Sequence, residues 1–319
     1  MNHSSRGISH VINTIEFGDK EKETFAYSHY NKYFCPNHKT QTMILIADSG
    51  ATKTDWCIGN TSTDYRIIHT QGINPFHQSK EHISKVLEEE LMPQLENIEE
   101  ISHIYFYGAG CTPEKSVIVK EALQALFAQA ETQVASDLLG AARSLCGKES
   151  GIACILGTGS NSCEYDGEKI VSNVSPLGYI LGDEGSGAVL GKRLVGDCLK
   201  NQLPAHIRQS FLEETQLTPA EIIDKVYRQP QANRFLASLT PFLSAHREEP
   251  AIRTLLISCF TDFFQRNVMQ YNYPVCEVHF TGSIAWYFQE EVKEAANSLN
   301  IRTGKFIKSP IYGLIEYHL

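Results

Sequence analysis

Two short stretches hold small and hydroxylated residues where a chain could grip an anion. Asp48-Ser49-Gly50-Ala51-Thr52 follows the apolar run Ile44–Ala47, and Gly157-Thr158-Gly159-Ser160 follows the apolar run from Gly151. Glycine and small residues at such a turn let backbone N–H groups approach an anion closely. One turn of this kind is ordinarily only a hairpin turn. Two of them, each opening one half of the chain, can hold one polyphosphate from both sides. Asp48 supplies a carboxylate, which repels phosphate unless a cation lies between. Mg²⁺ held mostly through water meets that demand. Taken alone, Asp48 reads equally well as a turn former bonded to its own backbone. Lys53 is a candidate phosphate ligand or an exposed hairpin lysine.

Three further places carry usable groups. Gly282 and Ser283, in Phe280–Ala285, form a glycine turn between a strand and a helix start, where the chain can pass close to a flat base or ribose. Asp137 falls where a strand meets a helix. A carboxylate at a helix N-terminus is favoured as the anion, so Asp137 can orient a hydroxyl and accept its proton, or act as a plain N-cap. Asn74 follows the third strand. Its amide can donate to and accept from sugar hydroxyls, and Asn74-Pro75 is also a common turn.

The elements that must position these groups are legible from periodicity. Strands are expected at 43–48, 54–60 and 65–72, and a helix over 79–98 with Ile83, Val86, Leu87 and Leu91 inward. A strand over 101–110 precedes a helix with Thr112 as N-cap and Pro113 at its first position. A short strand then leads into a helix at Asp137. A second block repeats the opening: strand, small-residue turn and returning strand over 151–173, with a hairpin turn at Asp166-Gly167. Helices follow after 182–187, at Thr218 with a Thr218/Glu221 capping box, and over 251–271. The expected fold class is α/β, two similar domains facing each other across a cleft. Residues 1–42 are expected to form a poorly ordered extension, 43–148 the first domain and 149–319 the second, with the last helix a candidate to return to the first.

Composition narrows the function. The chain has 319 residues and a formal charge of −9, which disfavours nucleic acid and, more weakly, an anionic membrane as partner. No apolar run reaches the roughly 20 residues of a membrane span, and the N-terminus carries no secretory signal pattern. Nine scattered cysteines, Cys35, Cys57, Cys111, Cys146, Cys154, Cys163, Cys198, Cys259 and Cys276, include no C-x-x-C pair and read as reduced thiols of a cytoplasmic protein. No P-loop, no dinucleotide G-x-G-x-x-G after the first strand and no H-E-x-x-H occurs. A transition-metal site is therefore not expected.

The three turns, in this order, resemble the phosphate-1, phosphate-2 and adenosine motifs of the actin, heat-shock chaperone and sugar-kinase superfamily. "DSGATKTDW", "GTGSNS", "LGDEGSGAVLG" and "TGSIA" are similar to the BadF/BadG/BcrA/BcrD-type ATPases, and within them to the N-acetylglucosamine kinase branch; the likeness covers Met43 to Leu319. It implies two ribonuclease-H-like domains with ATP and Mg²⁺ in a central cleft and a sugar beside the γ-phosphate. It further implies Asp137 as catalytic base. Asn74, Asp137, Thr158, Gly159, Asn161 and Asp183 would bind sugar. Ser49, Gly50, Ala51, Thr52, Lys53, Gly157, Thr158, Gly282 and Ser283 would bind ATP, and Asp48 would bind Mg²⁺ through water. Phe76 stands where the animal enzymes carry tryptophan, and "SPLGYILGDEG" departs from their pattern. Glu184 is given no role.

The expected activity is phosphorylation of an amino sugar on its 6-hydroxyl, N-acetylglucosamine first, by a cytoplasmic homodimer. Other readings are a kinase for glucosamine, N-acetylmuramate or another hexose, and an ATPase energising a partner enzyme. The cysteines suit no bridging Fe–S cluster of the kind such activators carry. The absence of C-x-C-G-x-x-G-C sets the chain apart from the zinc-bearing ROK kinases.

Overall fold

The computed structural model describes residues 42–50 and 52–319. The expectation of a poorly ordered leader therefore lies outside the described residues, as do Cys35 and Ala51. Residues 42–319 form one compact unit.

The first sheet is built from β1 (Met43–Ser49), β2 (Lys53–Thr61), β3 (Asp64–Gln71), β4 (Ile101–Gly108) and β5 (Glu131–Ser136), in the order β3-β2-β1-β4-β5. β1 to β3 are antiparallel neighbours; β4 and β5 join parallel to β1. The parallel additions need crossovers, supplied by α1 (Lys80–Val86) and α2 (Ser116–Leu126). β1 reads as a continuous apolar run because both its faces are covered. Leu45 and Ala47 pack with the residues of α1 and α2. Ile46 on the opposite face packs with Cys57, Tyr107 and Ile311, Leu314 and Ile315 of the last helix.

The second sheet, β6 (Gly151–Leu156), β7 (Ser160–Tyr165), β8 (Ile170–Ser172), β9 (Val278–Thr281) and β10 (Thr303–Ile307), has the order β10-β9-β6-β7-β8. Again the first three strands are antiparallel neighbours and the last two add parallel to the first. It therefore repeats the topology of the first sheet. α3 (Asp137–Cys146) links the halves. Between β8 and β9 come α4 (Gly178–Leu181), α5 (Gly187–Leu199), α6 (Ala205–Thr215), α7 (Pro219–Tyr227), α8 (Ala232–Ala237), α9 (Thr240–Ala245) and α10 (Pro250–Arg266). α11 (Ser283–Tyr287), α12 (Gln289–Ser298) and α13 (Ile311–His318) complete the chain. Among the described residues no helix is long and apolar enough to cross a membrane.

Three local expectations are corrected. The helix after β4 starts at Ser116, one turn later than expected; Thr112 instead closes a preceding turn, its Oγ1 accepting from the Lys115 N–H at 3.3 Å. The helix over 79–98 is regular only to Val86, then widens into a π turn at Leu87–Leu91 and tightens to 3₁₀ at Met92–Gln94, within which Pro93 has no N–H to donate. Its inward residues Ile83, Val86, Leu87 and Leu91 are nevertheless all buried. The cap of α3 is Ser136, whose hydroxyl accepts from Leu139 N–H; Asp137 is the first helical residue. The Thr218/Glu221 capping box of α7 is present as expected.

Candidate active site

The three turns open onto one cleft of about 1170 Å³ between the sheets. It is lined by Asp48, Ser49, Gly50, Thr52 and Lys53 from the first turn, Gly157 to Asn161 from the second, Thr281 to Ser283 from the third, and by Asp137. The segment from Lys305 to Gly313, which carries the chain from β10 into α13, lines it as well.

In the first hairpin, Gly50 N–H closes the turn on the Lys53 carbonyl at 3.0 Å. The Ser49 hydroxyl is committed to structure. It donates to the Ile73 carbonyl, accepts from Ile73 N–H and meets Thr54 Oγ1 at 2.6 Å, fully buried. It thereby pins the turn to the loop that carries Asn74. Asp48 and Asp55 lie directly opposite each other across β1 and β2. Asp55 is buried and takes the Lys53 ammonium at 2.8 and 3.0 Å, His69 Nδ1 at 2.8 Å and the Ser309 hydroxyl at 3.3 Å. Ser309 also reaches Asp48 at 3.5 Å. Lys53 thus spends its charge on Asp55. Burial, then the charges of Asp55 and Asp137, push the Asp48 carboxyl up to about 7, with Lys53 and Ser309 only partly opposing them.

With Asp55 engaged by Lys53 and His69, Asp48 is the carboxylate left to face a cation. Among the described residues no three His, Cys, Asp or Glu side chains converge tightly enough to cage a metal. Asp48 suits Mg²⁺ that keeps most of its water.

The second hairpin is neutral. Gly157 N–H bonds the Gly159 carbonyl at 2.9 Å, and the first N–H groups of α5 donate back to it, Gly187 to Gly157 at 2.8 Å and Ala188 to Thr158 at 3.1 Å. Asp183 stands behind Gly159 in a left-handed conformation (φ 52°), its Oδ1 accepting weakly from Ser160 N–H at 3.4 Å. A Cβ on Gly159 would come within 3.1 Å of that carboxylate, so the glycine lets Asp183 approach the turn. Asn161 Oδ1 accepts from Ser162 N–H and from Asn173 Nδ2. In the third turn Gly282 has φ 105°, and a Cβ there would lie 2.4 Å from the Leu156 carbonyl. Only glycine lets β9 turn against the end of β6. The Thr281 hydroxyl beside it is buried with no partner among the described residues.

Asp137 heads α3 with its Oδ1 accepting from Leu138 N–H at 2.9 Å. Sequence reasoning expected the helix terminus to keep it anionic. The structure sets burial, which raises its pKa, against those backbone N–H groups, and burial prevails. Asn74 lies just behind the wall, where a Cβ on Gly110 would strike its Oδ1 at 2.1 Å. That oxygen accepts from Phe76 N–H at 2.9 Å, so the Asn-Pro turn is real, while Asn74 Nδ2 has no partner among the described residues. Glu184 turns away and holds Arg266 Nε at 2.8 Å and Asn267 Nδ2 at 3.3 Å. Sequence reasoning missed Asp55, His69 and Ser309. Asp55 and His69 meet only through strand register, and Ser309 arrives from the far end of the chain.

No family model matches the chain. A solved structure from Porphyromonas gingivalis, provisionally named an N-acetylglucosamine kinase, is 48% identical with a TM-score of 0.84, over 86% of this chain and 98% of that one. A second structure with the same provisional name, from Chromobacterium violaceum, has a TM-score of 0.62 at 17% identity over 87% and 99% of the two chains, a likeness of fold alone. An N-acetylmuramic acid/N-acetylglucosamine kinase of Clostridium acetobutylicum is 28% identical over 212 residues, covering 62% of this chain and 68% of that protein. The identity and coverage shared with the Porphyromonas protein place this chain in the N-acetylglucosamine kinase family.

Proposed function

We propose that the protein is an ATP-dependent kinase that phosphorylates the 6-hydroxyl of N-acetylglucosamine, within the BadF/BadG/BcrA/BcrD-type group. The observation that carries this reading is the meeting of all three glycine turns and Asp137 on one cleft. The backbone amides of the two hairpins receive the phosphates of ATP. Asp48 would hold Mg²⁺, and the ion, when bound, would supply positive charge to the phosphates. Thr158, Gly159, Asn161, Asp183 and Asn74 position the sugar. Asp137 accepts the proton of the 6-hydroxyl as that oxygen bonds to the γ-phosphorus and the bond to the bridging oxygen of ADP breaks. Positioning and charge neutralisation supply most of the rate in such a transfer. The burial that raises the pKa of Asp137 makes it a better proton acceptor.

N-acetylmuramate is the second substrate to consider, because the Clostridium relative is named for both sugars. Residues 43–148 with α13 would form one domain and the rest of the second block the other, hinged at α3. A cytoplasmic homodimer belongs to the same reading; the eight described cysteines are all free thiols. The test is ADP release measured over N-acetylglucosamine, N-acetylmuramate, glucosamine and glucose. Turnover fastest on N-acetylglucosamine is expected. ATP hydrolysis indifferent to every sugar would overturn the reading in favour of a partner-driving ATPase.

A further inference from the structure

A polyphosphate held by these turns meets a cleft floor rich in negative charge. Asp48, Asp55 and Asp137 all line it. Three lysines line the same cleft: Lys53 is paired with Asp55, Lys308 donates to the Tyr287 hydroxyl at 3.1 Å while lying over that ring, and Lys305 stands on β10.

A recess of about 260 Å³ is lined by residues from all three turns. Thr52, Thr158 and Ser283, one from each turn, share it with Arg234 and Thr240 from the helices between β8 and β9. Arg234 belongs to α8, and α8 is fixed to the second turn by close contacts. A Cβ on Gly191 of α5 would overlap the Leu236 carbonyl, and one on Gly187 would sit 3.1 Å from Ala237 Cβ and 3.3 Å from the Gly157 carbonyl. Those two glycines let the backbones of α5 and α8 meet, so Arg234 is carried on the same rigid block as Gly157 and Thr158. Gln231, which opens α8 at φ 61°, accepts from Arg234 Nη1 at 3.0 Å and steadies one edge of the guanidinium.

From this placement we propose that Arg234 is a phosphate-binding residue of the nucleotide site. It rests on the kinase reading above. The planar fork of arginine matches two phosphate oxygens at once, and its charge survives at any physiological pH. Arriving from the helical insertion, it brings a positive charge beside the second turn, whose residues Gly157 to Ser160 carry none. Thr52, Thr158 and Ser283 add neutral hydroxyls that suit a phosphate or ribose edge, beside Ser238, Thr240 and the apolar Ala237 and Ile284.

The test uses the full-length chain with Arg234→Gln and Arg234→Lys. Competitive inhibition against ATP is measured with ADP and with adenosine, both in saturating Mg²⁺. Loss of a charge-assisted hydrogen bond should weaken ADP about 10–100-fold in Arg234→Gln, with Arg234→Lys between it and wild type. Adenosine should change less than about twofold, and the KM for the sugar likewise. ADP inhibition within twofold of wild type in both variants overturns the proposal. So does an equal loss for ADP and adenosine, which would mark Arg234 as purely structural. If the wild-type chain binds neither ATP nor ADP, the kinase reading itself has failed and this inference goes with it.

Discussion

The two hairpins that open the two sheets occupy matching places in a repeated topology, yet they carry opposite chemistry. In the first, the penultimate residue of β1 is Asp48, and it faces Asp55. In the second, the penultimate residue of β6 is Ile155, and it faces Asn161. One step further, Ser49 faces Thr54 and Leu156 faces Ser160. The duplicated fold thus offers two equivalent turns to one ligand. Only the first is loaded with carboxylates, and only it needs a lysine, a histidine and Ser309 to balance them. On the kinase reading proposed above, topology sets where the phosphate chain would lie, while the strand register decides which half would manage the cation.

The largest effect should come from Asp137, which belongs to neither hairpin and sits on the helix between the halves. Asp137→Asn should lower kcat about 10²–10⁴-fold, the usual range for loss of a general base. ATP affinity by calorimetry should stay close to wild type, and thermal stability should not fall, because Ser136 and not Asp137 caps α3 and burial already disfavours the Asp137 carboxylate. A loss of kcat under about threefold, far below that range, would move the base to another residue, Asp183 first.

Asp48→Asn breaks the charged hairpin alone. Turnover at saturating Mg²⁺ should fall at least about tenfold through lost charge stabilisation. Stability should move the other way. Asp48 holds its proton more tightly folded than unfolded, rising from 3.8 to about 7. The wild type therefore loses stability as pH rises from about 4 to about 7, and the amide does not. In metal-free buffer at pH 8 the variant should be more stable by up to about 4 kcal/mol, with the gain vanishing near pH 4. Equal melting temperatures of the two proteins at pH 8 would mean that Asp48 is a solvated turn residue.

Much of this site was legible in the sequence because its signals are local. Small residues after an apolar strand, as at Gly157 to Ser160, have a conformational meaning of their own, and so does Gly282 before a helix. The repeated order of strand, turn and strand gave the two halves. Asp55 was on view but mute, since its importance depends on a register that places it opposite Asp48 and His69. Ser309 could not be found, because 254 residues separate it from Asp55. β10 was missed for a related reason. Its sequence Thr-Gly-Lys-Phe-Ile lacks alternation, and it pairs irregularly with β9, where His279 Nδ1 accepts the Lys305 N–H. The burial of Asp137 likewise belongs to the assembled cleft and not to its own segment.

A milder way to probe the charged hairpin is pH. Below about 7 a proton competes with Mg²⁺ for Asp48. Apparent Mg²⁺ affinity in the presence of ADP should rise with pH, about tenfold per unit at most, and level off above about 7. Titrations at pH 6, 7 and 8 would show it, and Asp48→Asn should flatten the trend. A wild-type affinity that does not vary between pH 6 and 8 would remove Asp48 from the metal site.

The smallest effect, and the sharpest comparison, comes from putting a carboxylate into the neutral hairpin. Asn161→Asp places an aspartate at the position matching Asp55. The change is nearly isosteric, and the oxygen that accepts from Ser162 N–H and Asn173 Nδ2 is kept. What is lost is the amide NH₂, which has no protein partner among the described residues and is the group available to a ligand oxygen. One lost hydrogen bond of about 1 kcal/mol corresponds to roughly a fivefold rise in the KM for the sugar. kcat should change less than about twofold, because the missing bond serves ground state and transition state alike. The Mg²⁺ response should not change either. The residue opposite is Ile155, so the new carboxylate has no partner with which to hold a cation. A variant whose Mg²⁺ requirement shifts as far as that of Asp48→Asn would show that the cation is shared by both hairpins, and the division of labour between the two halves would have to be redrawn.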